Sequence, residues 1–293
     1  MKISDSFFLE KDILVIGGAG FVGSCLCENL VRLGAHVYSV DNYFTGKREN
    51  HIEGVEYIEC ESSNINKLES FSNLDIVYHL GEYSRVEQSF EDIDLVFEYN
   101  MKSIYEVLKF VKIKGAKLVY SGSSTKFGDG GLNGSESPYA WTKKTNAELV
   151  SVFCNWFNID YAITYFYNVY GPREIQHGKY ATLIAKYMNL VQGGDNTLPV
   201  VLPGSQRRNF THLDDIISGL LVVGSNGSGD GFGIGSDESF SVLDVVALFD
   251  CEPVFLPERK GNRMLAPVKT ELTKSLGWSC RYSLERYIAE SKG

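Results

Sequence analysis

The segment Gly17-Gly18-Ala19-Gly20-Phe21-Val22-Gly23 constrains this chain more than any other. It joins the apolar run Ile13-Leu-Val-Ile16 to a stretch with Val22, Leu26, Leu30 and Leu33 at helical spacing, closed by Gly34. A run that is apolar at every residue reads as a parallel strand buried on both faces. Glycines between such a strand and a helix allow a tight turn at Gly17, close approach of a pyrophosphate at Gly20 and close helix–strand packing at Gly23. The helix N-terminus then offers unpaired N–H groups and the positive end of its dipole to the anion. His36–Asp41 reads as the next strand, and a carboxylate at its end can accept both hydroxyls of an adenosine ribose. Asp41 would also repel a 2′-phosphate, which points to NAD rather than NADP, although Lys47 and Arg48 stand nearby.

Further strands are expected at 56–60, 75–80, 117–121 and 161–166, with helices over 95–114 and 139–157. Strands alternating with helices predict an α/β fold, a doubly wound parallel sheet of the Rossmann kind. Residues 1–167 are read as the NAD-binding domain. Beyond Tyr167 glycines cluster and prolines break the chain, so 168–293 is read mainly as a smaller C-terminal substrate-binding lobe, with some segments returning to the sheet. Ser283–Glu290 reads as a closing helix.

The balance of 28 Lys and Arg against 37 Asp and Glu gives a formal charge of −9, which argues against a nucleic-acid partner. No apolar run reaches a membrane-spanning length, and the N-terminal apolar patch is broken by Glu10, Lys11 and Asp12, so neither a membrane partner nor a signal peptide is expected. The six cysteines form no metal-binding spacing and read as free thiols in a reducing, cytoplasmic setting; no metal is expected.

Tyr139 and Lys143 are four apart on an expected helix and share a face. An ammonium beside a phenol favours the phenolate, which makes the pair a candidate acid–base unit. Ser123 falls just beyond the fifth strand, at the carboxyl edge where open α/β sheets bind ligands.

On these residues the chain resembles the extended short-chain dehydrogenase/reductase family, in its NAD-dependent nucleotide-sugar epimerase/dehydratase branch. The matching segments include Gly17–Gly23, Asp41-Asn42, His79-Leu80, Asn100, Ser121–Gly128, Tyr139 with Lys143, Asn168–Arg173 and Gly204–Asp215. The resemblance implies that Gly17, Gly20, Phe21, Val22, Gly23, Asp41, Asn42, Glu61 and Leu80 hold the cofactor. It implies that Lys143 grips the nicotinamide ribose and that Ser123, Tyr139 and Lys143 are catalytic. It further implies that Asn168, Arg208 and Arg259 hold a nucleotide sugar, the two arginines on its diphosphate, and that the protein is a homodimer through 95–114 and 139–157. Val107, Val111, Leu149 and Phe153 are apolar candidates for that interface or for the core.

Departures from the family pattern narrow the chemistry. Dehydratases of this branch carry an Asp-Glu pair where this chain has Ser124 and Thr125. A 4-epimerase needs no such pair, so the expectation is a 4-epimerase acting on a UDP-hexose through a 4-keto intermediate. A 4,6-dehydratase is the first alternative, then a reductase or decarboxylase, then a non-catalytic nucleotide-sugar or dinucleotide-binding protein. Glu82 stands where the family usually has a small residue; it is read as a salt-bridge partner of Arg85 or as a substrate contact, with Ser124 beside the substrate. Lys126 is read as solvated.

Overall fold

The computed structural model describes residues 6–68, 70–71, 73–258, 264 and 267–292. Its centre is a seven-stranded, all-parallel sheet in the order β11-β6-β5-β4-β1-β2-β3. The strands are β1 (Asp12–Ile16), β2 (His36–Asp41), β3 (Val55–Glu59), β4 (Ile76–His79), β5 (Lys117–Ser123), β6 (Tyr161–Phe166) and β11 (Gly229–Ile234). The order reverses between β1 and β4, which opens a crevice at the carboxyl edge. Four short strands, β7 (Val169–Tyr170), β8 (Thr197–Val201), β9 (Arg207–Arg208) and β10 (Thr211–His212), lie in sequence between β6 and β11. After β11 come β12 (Phe240–Ser241) and β13 (Glu252–Leu256). The pairs β7·β10 and β8·β13 are parallel and β9·β12 is antiparallel.

Alternation along β1 explains its unbroken apolar sequence. Leu14 and Ile16 face one buried cluster, which includes Val107, Leu108 and Val150. Ile13 and Val15 face the other, with Leu26, Leu30, Ile216 and Leu220. Helices α1 (Phe21–Arg32) and α6 (Leu213–Asn226) supply the second cluster, and α3 (Ser103–Lys114) and α4 (Pro138–Phe157) the first. Each buried leucine or isoleucine contributes about 1.5–3 kcal/mol. A separate cluster, with Tyr187, Leu198, Phe210, Val245 and Ile288, unites α5 (Leu183–Gln192), α7 (Val242–Leu248) and α9 (Leu284–Ser291). The short α8 (Glu271–Ser275) packs on β11.

Two expectations change. The helix expected at 95–114 is α2 (Ile93–Val96), a wider π-type turn over Phe97–Lys102, and then α3. Buried Asn100 sits in that turn, accepting Tyr83 N–H at 2.7 Å and donating to Thr142 Oγ1 at 3.0 Å. β5 also runs two residues further than expected, so Ser123 is its last residue rather than a loop residue. The apolar candidates Val107, Val111 and Phe153 are buried and Leu149 packs against them, so these four build the core.

Candidate active site

A groove of about 800 Å³ follows the carboxyl edge of the sheet. Its floor is set by the β1–α1 turn. Gly17 has φ +89°, and a Cβ there would lie 2.8 Å from Gly81 backbone. A Cβ at Gly23 would lie 2.0 Å from the Gly17 carbonyl oxygen, so helix and strand approach as closely as the motif predicts. Helix α1 starts after Gly20 with no side-chain cap and no acid in its first turn, leaving its N–H groups to face an anion. At the end of β2, buried Asp41 accepts Ala19 N–H at 2.9 Å and Tyr43 N–H at 2.8 Å. Burial pushes its carboxyl above the ordinary value, and the two N–H groups pull it back. A bare glycine cradle with a carboxylate at the next strand end fits a dinucleotide.

Gly17, Gly20, Phe21, Val22, Gly23, Asp41, Asn42 and Leu80 line the groove. Glu61 does not; Asn42 Nδ2 holds it at 3.0 Å. Further along, Ser123, Ser124, Tyr139, Lys143, Asn168 and Arg208 line the same space. Arg259 lies outside the described residues. The Asn168 side chain donates to the Asn209 carbonyl at 3.0 Å, and the Arg208 guanidinium to the Arg207 carbonyl at 2.9 Å.

Tyr139 and Lys143 are carried to the groove by helix α4. Ser137 caps it by accepting Ala140 N–H at 3.1 Å, with Pro138 in the first turn. Tyr139 O–H then donates to Ser123 Oγ at 3.1 Å. Ser123 Oγ also accepts Thr125 O–H at 2.9 Å and Thr125 N–H at 3.3 Å. A hydroxyl has two acceptor lone pairs and one proton of its own, so Ser123 Oγ takes two of these three donors at a time and keeps its proton to give. Thr125 thus fixes the Ser123 hydroxyl, at the place where the resemblance implies a carboxylate in dehydratases.

The structure corrects the pairing expected for Glu82: it does not meet Arg85, and it lines the groove with its carboxylate already engaged. Its side chain is 3% exposed and turns under the edge of β4 and β5, where donors converge. Lys143 Nζ lies 2.6 Å from Oε2, Tyr120 O–H donates to Oε2 at 2.8 Å, and Asn146 Nδ2 donates to Oε1 at 3.1 Å. His79 Nε2 stands 3.5 Å from Oε1. Burial alone would raise this carboxyl, but the Lys143 ammonium and then His79 hold it down at about 2. Removing one partner of such a buried pair generally costs about 3–5 kcal/mol. Arg85 instead donates from Nε and Nη2 to the Tyr180 carbonyl, at 2.9 and 2.6 Å. Lys126 is half-buried and paired rather than free in solvent: it donates to Asp230 at 3.0 Å and to the Tyr165 hydroxyl oxygen at 2.8 Å, tying the loop after β5 to β11.

Sequence reasoning missed Glu174, which also lines the groove. It is buried, accepts Thr182 O–H at 2.5 Å and Gly171 N–H at 3.1 Å, and burial raises its pKa to about 7. Below the ordinary carboxyl value of 4.5 both folded and unfolded chains hold this proton, and the group costs nothing. As pH rises towards 7 the unfolded chain ionises first, so stability is progressively lost. Thermal unfolding of wild type and Glu174→Gln should therefore show the variant gaining relative stability between about pH 5 and about pH 8. A pH-independent difference would contradict this.

A doubly wound sheet, the glycine turn with its strand-end carboxylate, and Ser, Tyr and Lys gathered at the carboxyl edge define the extended short-chain dehydrogenase/reductase class. Residues 13–235 match the NAD dependent epimerase/dehydratase family, and the chain belongs to it. Among its relatives is a UDP-N-acetyl-alpha-D-glucosaminuronate decarboxylase of Bacillus cytotoxicus, 29% identical over 81% of this chain and 78% of that one. The UDP-glucose 4-epimerase of Mycolicibacterium smegmatis is 25% identical over 95% of this chain and 96% of its own. Among solved structures, the UDP-glucose 4-epimerase of Thermotoga maritima with UDP-glucose superposes with TM-score 0.88 at 25% identity, covering 94% of this chain and 96% of that one. No helix among the described residues is long and apolar enough to cross a membrane.

Proposed function

We propose that the protein is an NAD-dependent nucleotide-sugar 4-epimerase acting on a UDP-hexose through a transient 4-keto sugar. One observation carries the reading: Ser123, Tyr139 and Lys143 converge on the groove, while the neighbouring positions hold the hydroxyls of Ser124 and Thr125 rather than carboxylates. Bound at the glycine turn and Asp41, NAD would supply a reversible hydride acceptor. Tyr139 takes the proton of the sugar 4-hydroxyl and later gives it back, and Ser123 donates its free O–H to the same oxygen. Lys143 offers a fixed ammonium to the ribose, Asn168 contacts the sugar nucleotide, and Arg208 meets its diphosphate with a planar fork. Removal of the C5 proton and loss of the C6 hydroxyl call for a carboxylic acid and a carboxylate base, which Ser124 and Thr125 do not supply.

Incubation with a panel of UDP-, dTDP-, GDP- and CDP-sugars, followed by mass spectrometry and proton NMR, tests the reading. An isomer of unchanged mass is expected. Loss of water would make the protein a dehydratase, and loss of carbon dioxide a decarboxylase like its Bacillus cytotoxicus relative.

The reading includes a division near residue 168 into an NAD-binding domain and a mainly substrate-binding lobe. It also includes a cytoplasmic location, to which six free cysteines are suited. Homodimerisation belongs to it too, through the outer faces of the α2–α3 segment and α4. Phe97 and Trp141 stack there with ring centroids 5.9 Å apart and are about 40% exposed, and Tyr105 and Trp156 are more exposed still. Sedimentation should give twice the 32.7 kDa chain mass for the wild type and a single-chain mass for the Phe97→Glu/Trp141→Glu double variant. A dimeric double variant would place the interface elsewhere.

A further inference from the structure

Glu82 is the departure from the family pattern that the epimerase reading does not use. Its place in the structure gives it a charge role. The carboxylate is buried, ionised, and 2.6 Å from the ammonium that grips the nicotinamide ribose in the proposed site. We propose that Glu82 is the buried counter-charge of the nicotinamide end of the groove, and that it biases the bound dinucleotide towards its oxidised form. This rests on the NAD reading of the site but not on which reaction follows.

Charge sets the preference. An oxidised nicotinamide ring is cationic and a reduced one is neutral. A fixed ammonium alone at the ring's ribose would favour the neutral form. Glu82 cancels that field at its source, and with 3% exposure it does so where little water screens it. Tyr120 and Asn146 fix the carboxylate by hydrogen bonds, so it does not swing away when the groove fills. Lys143 also donates to the Ser121 carbonyl, so two of its three N–H groups are taken and one is left for a ribose hydroxyl. Other charged or titratable groups at this end are few. His79 faces Glu82 from β4, Tyr120 from β5, and Tyr139 lies one helical turn before Lys143. Arg85 lines the groove with its guanidinium on the Tyr180 and Ser84 carbonyls, and Glu174 lies beyond it. None of these supplies a second carboxylate to Lys143. A cofactor kept oxidised at rest suits a reaction with no net redox change.

The test is equilibrium binding, independent of turnover. Dissociation constants for NAD⁺ and NADH are measured on nucleotide-free wild type, Glu82→Gln and Glu82→Ala, the last restoring the small residue usual in the family. The ratio Kd(NAD⁺)/Kd(NADH) is expected to rise about tenfold in both variants, equivalent to ~30 mV in the bound two-electron couple. Glu82→Asp, which keeps the charge, should stay near the wild-type ratio. If Glu82 only shaped the lysine pocket, both affinities would fall together; an unchanged ratio in the Gln and Ala variants overturns the proposal. A wild type that binds neither dinucleotide would remove the NAD reading itself, and the inference with it.

Discussion

Tyr139→Phe should lower kcat about a thousandfold while changing dinucleotide affinity by less than about twofold. The substitution removes one oxygen and leaves the ring, so helix α4 and its Ser137 cap are untouched. What is lost is the proton carrier of both half-reactions. Ser123 cannot take over, because its Oγ is held in a fixed pattern by Thr125 and has no partner base once the phenol is gone. Steady-state kinetics with the substrate found in the sugar-nucleotide panel, beside dinucleotide binding to the same preparation, gives the answer. Full activity would disprove the catalytic assignment of Tyr139.

Gly23→Ala should weaken dinucleotide binding at least about a hundredfold and lower Tm by roughly 5 °C or more. The added methyl would sit 2.0 Å from the Gly17 carbonyl oxygen, 2.8 Å from its carbon and 2.9 Å from Gly18 Cα. All three are backbone atoms of the turn, so no side chain can swing aside. Relief requires helix α1 to move off β1, which opens the buried cluster around Leu26 and Leu30 and disperses the N–H groups that face the anion. Dinucleotide titration and thermal unfolding read the two effects separately. Wild-type values in both would mean that the turn is not packed as described.

Strands such as β1, β4 and β6 were legible because they are buried on both faces and read as nearly unbroken apolar runs. Strand β11 (Gly-Asp-Gly-Phe-Gly-Ile) carries no such run and was not placed. The cradle was legible because glycine turn chemistry is local, and the Tyr139/Lys143 pair because a helix repeats every turn. Glu82 was not legible. Its spacing to Arg85 suggested a local ion pair, yet its partners arrive from β5 and α4, brought there only by the parallel pairing of the sheet. Lys126 followed the same logic, since its counter-ion Asp230 comes from the last strand to join. Sequence could not assign Val107 or Phe153 to core or interface, because an apolar helix face looks alike in both. Glu174 carries no sequence signal beyond its place after Gly171-Pro172-Arg173; its burial follows from the hydrogen bonds that Thr182 and Gly171 bring to it.

In the proposed reaction one hydrogen leaves C4 of the sugar and returns to C4 on the other face. A UDP-hexose carrying deuterium at C4, turned over in ordinary water and read by NMR and mass spectrometry, tests it directly. The expected product is the C4 epimer with its deuterium retained at C4. An epimer that had exchanged the label for solvent hydrogen, or a product that had lost water or carbon dioxide, would contradict it.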